Sequence, residues 1–170
     1  MEHLNFLERI SYKQLRRYAA KESGGKTYVN LQNVRSIAVI YDADDEQVVE
    51  VLREVQARLK RFAQELVFIA VTKNKEYQTE HLVVEKRRFL LPGIKSDSLD
   101  LSRSFDLAVL LAREVTLELM WALVMVKAKM KVSPQSRFTE LVDLVFIPKE
   151  QDLVHFIDLT IKYLNTIKDV

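Results

Sequence analysis

The stretch Arg35–Glu46, RSIAVIYDADDE, constrains the fold more than any other part of the chain. Ile37, Ala38, Val39 and Ile40 form an apolar run with no polar break, the pattern of a strand buried on both faces. The run stops at Asp42, and an amphipathic helix begins within two residues. Val48, Leu52, Val55, Leu59 and Phe62 recur at alternating spacings of four and three, one stripe that must cover a sheet. Asp44 is expected to cap this helix, with Gln47 three residues on completing a capping box. Leu66–Val71 is a second apolar strand, so 36–71 reads as a right-handed β-α-β unit with parallel strands.

The remainder keeps the same alternation. Residues 4–21 predict a helix ended by Ser23-Gly24-Gly25, and 26–34 a connector. Leu82–Val84 and Arg88–Leu91 read as short strands, with Pro92-Gly93 as a turn. Phe105–Leu111 is a third clear strand and Thr116–Val126 a helix with Leu117, Met120, Trp121 and Val124 on its stripe. Val126–Val132 alternates valine, lysine, alanine, lysine, methionine, lysine, valine. That suits an exposed strand, yet it continues a helix, so the boundary stays open. Leu141–Ile147 is a further strand, stopped by Pro148, and Leu153–Ile167 a closing helix. The expected fold is α/β, three-layered, with a mostly parallel sheet of the Rossmann-like or flavodoxin-like kind. Residues 1–34 form an N-terminal helical arm and connector, and 35–170 the α/β domain. The arm is expected on the outside of the sheet or against a second copy of the chain.

At 170 residues the chain is one domain by length. It has no cysteine, which excludes a disulfide scaffold, a thiol nucleophile and thiolate zinc sites, and fits a reducing cytosol. The first twenty residues lack the continuous apolar core of a secretory signal, and Val115–Val126, with Glu118 in it, falls short of the ~20 residues of a membrane span. The expectation is a soluble cytoplasmic protein with no membrane partner.

Asp42-Ala43-Asp44 after a buried strand, with Thr72 ending the next, resembles the aspartate-x-aspartate and threonine of haloacid-dehalogenase-type phosphatases. That reaction also needs a lysine and a late acidic pair holding magnesium and phosphate together. The later strands end in Ala112-Arg113-Glu114 and Ile147-Pro148-Lys149, neither an acidic pair, and the helix begins too soon for a flap. A phospho-receiver domain would need another aspartate at a strand's carboxyl end, whereas Asp106 and Asp143 open theirs. The simpler expectation is that these carboxylates cap the helix and offset its dipole.

Other catalytic motifs fail on context. Gly25-Lys26-Thr27 imitates the end of a P-loop, but position 20 is Ala20 and the segment comes after a helix. With three glycines in the chain there is no dinucleotide fingerprint, and no cofactor is assigned. His3, His81 and His155 are isolated, and no serine sits in a G-x-S-x-G elbow. No catalytic residue and no metal ligand is assigned. Lys127, Lys129, Lys131 and Arg137 span a stretch without acids, and Lys86-Arg87-Arg88 is a second basic cluster. Lysines after a helix suit its negative end; the sharper reading is an anion pocket. Nucleic acid is not expected, since the net charge is only +2 and Phe89 is the one aromatic neighbour.

FDLAVLL at 105–111, VKAKMKV at 126–132, ELVDLVF at 140–146 and IKYLNTI in the last helix resemble an uncharacterised family of small Bacteroidetes-type α/β proteins. The likeness covers 35–170 and is most specific from 105 onward. In that family's pattern a glycine comes after the lysine-valine pair, where Ser133-Pro134 stands here. The resemblance implies a fold and a host lineage, and carries no catalytic residues with it.

Two function classes remain. One is a non-catalytic interaction protein that self-associates, as a homodimer, through the arm or an uncovered face. The other is a binder of a small anionic ligand, or an enzyme, using the crevice at the strands' carboxyl ends. There Asp42, Asp44, Thr72 and Lys73 are expected to converge, with Lys127, Lys129 and Lys131 contributing.

Overall fold

Ile37 to Tyr41 are without measurable exposure, and the strand that contains them, β1 (Ser36–Asp42), has a parallel neighbour on each side. The computed structural model describes residues 4–22, 27–89 and 103–167. In chain order the elements are α1 (Phe6–Glu22), β1, α2 (Glu46–Leu59), β2 (Glu65–Thr72), β3 (Leu82–Glu85), β4 (Ser104–Leu111), α3 (Leu117–Met125), β5 (Lys127–Pro134), β6 (Leu144–Phe146) and α4 (Leu153–Thr166). The six strands among the described residues are all parallel, in the order β3-β2-β1-β4-β5-β6, the Rossmann order. The sheet therefore reverses its direction of growth between β1 and β4, and crossovers on the two sides of that point lie on opposite faces.

On one face α2 and α4 cover Val39, Tyr41, Val109 and Met130, together with Val29, Leu31 and Val34 of the connector. On the other, α3 and α1 cover Ala38, Ile40, Ala108 and Leu110. The arm is built into that layer. Leu15 is fully buried, the Trp121 indole N–H donates to Ser11 Oγ at 2.8 Å, and Ser11 Oγ donates to the Phe89 carbonyl at 3.2 Å. Tyr12 packs its ring on Phe138 and donates its hydroxyl to Glu140.

Two expected boundaries move, and one left open is decided. Residues 86–89 form a 3-10 turn where a strand was expected to begin at Arg88; residues 90 and 91 lie outside the described residues, as do Ser23-Gly24-Gly25 and Pro92-Gly93. The Val126–Val132 alternation belongs to a strand: Val126 is extended (φ −66°, ψ 123°), and β5 begins at the next residue. The strand expected at 141–147 is only three residues, because Thr139–Leu141 form a 3-10 turn and Asp143 is held by the β5 backbone.

The amino edge of the sheet is tied by Asp106. Its carboxylate accepts from the Arg35 and Ser36 amides at 2.8 and 3.1 Å and from Lys129 Nζ at 2.7 Å. Burial pushes this carboxyl up, but those bonds and the ammonium charge outweigh it and leave it below the usual range.

Candidate functional site at the carboxyl edge

The opposite edge gathers the charged residues that end β1 and β2. Asp42 closes β1, and Asp44 and Asp45 occupy the turn before α2. Thr72 closes β2, one strand over, and pairs in register with Glu85 of β3. The residue after Glu85, Lys86, is thereby delivered just beyond the β2 and β3 ends. Its side chain is 7 % exposed, and its Nζ lies 2.6 Å from Asp42 Oδ1 and 2.9 Å from Asp44 Oδ2. Thr72 Oγ1 donates to Asp44 Oδ1 at 2.5 Å, and the Lys73 amide donates to the same carboxylate at 3.0 Å.

Burial pushes the Asp44 carboxyl up and the Lys86 ammonium down. In both, the mutual bonds win: Thr72, Lys86 and the Lys73 amide hold Asp44 below the usual carboxylate range, and the two aspartates hold Lys86 above the usual ammonium range. Asp44 and Lys86 therefore keep their charges at neutral pH. With Asp42 they form an ion triad that has a hydroxyl built in.

Asp44, expected to cap α2, does not. Its oxygens are taken by Thr72, Lys73 and Lys86, and Asp45 is the cap, accepting from the Gln47 amide at 3.0 Å. Asp45 also takes a bidentate pair from Arg113, Nε at 2.7 Å and Nη2 at 2.9 Å, which hold its carboxyl below the usual range. Arg113 lies just past the end of β4, so this pair spans the point where the sheet reverses.

Of the residues expected to meet here, Asp42, Asp44 and Thr72 do so by side chain, and Lys73 by its backbone N–H. Lys127, Lys129 and Lys131 are elsewhere. Lys127 opens β5 at the amino end and is exposed; Lys129 is on Asp106; Lys131 lies mid-strand and donates to the Val124 carbonyl at 2.5 Å. Lys86 was visible in the sequence only as part of a basic cluster. Its neighbour Arg87 is exposed and pairs with Glu85, as a solvated charge would.

The loop 73–81 that replaces a crossover helix is pinned from below. Tyr41 Oη and His81 Nδ1 are 2.9 Å apart, and the His81 ring stacks on Phe68 at 5.0 Å. Burial lowers the His81 imidazole from its ordinary value and raises the Tyr41 phenol, so both are neutral at pH 7.

The phosphatase likeness now has its lysine, but it lacks the donors for magnesium. Beyond β4 stand Ala112, Arg113 and Glu114, and Arg113 brings a positive charge to that position. Among the described residues no group of three or more His, Asp or Glu is arranged to hold a metal ion. These residues do not fit the cation of that reaction.

No helix among the described residues is long and apolar enough to cross a membrane. No curated protein and no solved structure matches the chain. A family model, described as a family of unknown function (DUF6913), matches residues 5–167. With nearly its whole length matched and an all-parallel α/β sheet as its framework, the chain belongs to that family of unknown function.

Proposed function

We propose that the chain binds a small phosphorylated ligand at the carboxyl edge of β1 and β2 and does not turn it over. The observation that carries this is the buried Lys86 ammonium, held between Asp42 and Asp44 beside the Thr72 hydroxyl. An ammonium has three donors, and the two aspartates take two of them. The third serves a ligand oxygen at a sheet edge where α/β proteins bind their ligands. The flanking carboxylates select the anion. A fully deprotonated oxyanion meets only repulsion from Asp42, whereas a phosphoryl group, with a second pKa near ~6, brings a proton that it donates to a carboxylate. Catalysis is disfavoured by Arg113, which stands where the phosphatase likeness asks for an acid.

Calorimetric titration with inorganic phosphate and with sulfate tests this. Phosphate is expected to bind more tightly at pH 6 than at pH 8, and sulfate not at all. Lys86→Gln should weaken phosphate at least tenfold. Equal binding of sulfate, or unchanged phosphate affinity in the folded Lys86→Gln protein, would overturn the reading. Release of phosphate from an aryl phosphomonoester would overturn its non-catalytic half.

A second reading, self-association, has its own support. Phe6, Leu7 and Ile10 are 76, 67 and 40 % exposed within the first turns of α1. Three large apolar side chains side by side on one helix suit a contact between two copies. A cytoplasmic setting in a bacterium of the Bacteroidetes type goes with either reading, on the cysteine-free composition and the family likeness.

A further inference from the structure

A cleft of about 170 Å³ opens at the carboxyl ends of β4, β5 and β6. Pro134, Ile147 and Pro148 give it an apolar wall, Arg113 stands at the side facing β1, and Gln135 and Gln151 bring two primary amides. Two features set it apart from an ordinary surface dent. Ile147, a large apolar side chain, is 68 % exposed at its rim. Glu150 and Gln151 are consecutive non-glycine residues in the left-handed region (φ 52° and 56°), a strained turn that sets Gln151 among the lining residues.

The cleft also connects to the Lys86 cluster. Arg113 is clamped by Asp45, and Asp45 comes directly after Asp44, which holds Lys86. β1, whose last residue Asp42 holds Lys86, pairs directly with β4, and the cleft begins past the end of β4 at Ala112 and Arg113; neighbouring strands lie about 4.8 Å apart. The two sites share the carboxyl edge of the sheet on adjoining strands.

Resting on the phosphoryl reading above, we infer that the cleft takes the organic part of the ligand, and that this part is a single sugar unit. The volume is close to the ~150 Å³ of a cavity that takes one benzene ring and below the ~300 Å³ at which drug-sized pockets begin. The lining supplies amides and a guanidinium, donors and acceptors suited to hydroxyls, with proline and isoleucine for the C–H face of a sugar. Among the described residues, no aromatic side chain lines it on which a nucleobase would stack.

The experiment compares inorganic phosphate, pentose and hexose phosphates, and a nucleoside monophosphate, titrated by calorimetry into wild type, Ile147→Trp and Gln151→Gly. Ile147→Trp fills the cleft from its rim; Gln151→Gly removes an amide while relieving the left-handed backbone, so it cannot fail by strain. Wild type is expected to bind a sugar phosphate at least tenfold more tightly than inorganic phosphate. Both variants should lose that advantage and keep the inorganic phosphate affinity. If inorganic phosphate binds and sugar phosphates are no tighter, the cleft inference alone falls. Retention of the advantage in Ile147→Trp, or preference for the nucleotide, also overturns it. Should no phosphate compound bind, both readings fall; a sugar phosphate that binds where inorganic phosphate does not, and is lost in Ile147→Trp, upholds the cleft.

Discussion

Lys86 bridges two carboxylates that would otherwise face each other across a turn, and its removal leaves them without a counter-ion. Breaking one partner out of a buried ion cluster costs about 3 kcal/mol or more. Lys86→Met is therefore expected to lower the urea-unfolding free energy by about that amount at pH 7, and Asp42→Asn with Asp44→Asn in the same chain should restore part of it. The sign with pH comes from the shifts. Asp44 and Asp45 are held below their ordinary values, so their contribution is present above the unfolded carboxylate range and is lost as pH falls through the folded values. Lys131 acts the other way. Burial lowers its ammonium to about 8, partly opposed by Asp143 and Glu22. Between pH 8 and the ordinary lysine range the unfolded chain holds a proton that the folded chain has released, so stability rises with pH across that window. Below it, Lys131 costs about 3 kcal/mol. Lys131→Met is expected to melt higher than wild type at pH 7 and to lose that advantage at pH 10, read from denaturant curves. That Asp42, Asp44 and Thr72 meet was legible because they stand at or just past the ends of adjacent apolar runs. Lys86 was not, because the strand before it has only four residues, with Leu82 and Val83 exposed, and the turn it opens has no periodicity.

The helices show how far caps and stripes specify an element. Val48, Leu52, Val55 and Leu59 are all buried, as their spacing requires, and Thr116 caps α3 by accepting from the Leu119 amide. Thr116→Ala is expected to cost about 1 kcal/mol in urea unfolding. The cap of α2 lies one residue beyond its expected position, since two adjacent aspartates have the same local chemistry and a contact with Thr72, distant in sequence, decides between them. The helix-to-strand change at Val126 was equally hidden. Its alternating lysines fit a strand but run on directly from a helix, and pairing of Lys127 with Ser104 and Met130 with Leu107 across the sheet selects the strand. The α1 to α3 joint rests on Leu15, Ser11 and Trp121. Leu15→Ala should cost about 2–5 kcal/mol, with faster hydrogen exchange confined first to α1.

For the molecule as a whole, α1 presents both a buried and an exposed apolar side. Because Leu4, Tyr12 and Leu15 belong to the core, deleting the arm would damage the fold and say little about assembly. Point changes on the outer side separate the two. Phe6→Ser with Leu7→Ser is expected to leave the melting temperature within a few degrees and to abolish any concentration-dependent rise in sedimentation mass. A mass that still rises would place the contact between copies elsewhere. The fold class was legible because three uninterrupted apolar runs, each with its turn, admit few sheets. The order of the strands was not, since no local signal states that β4 adds beside β1.

That order has a consequence for the nascent chain. Ser11 meets Trp121 across 110 residues of sequence. At a synthesis rate of about 5–20 residues per second, the first helix waits roughly 5–20 s for its docking partner to leave the ribosome. Through that interval Leu15 and Tyr12 lack the third helix they pack beside, and translation speed over that helix sets how long they wait.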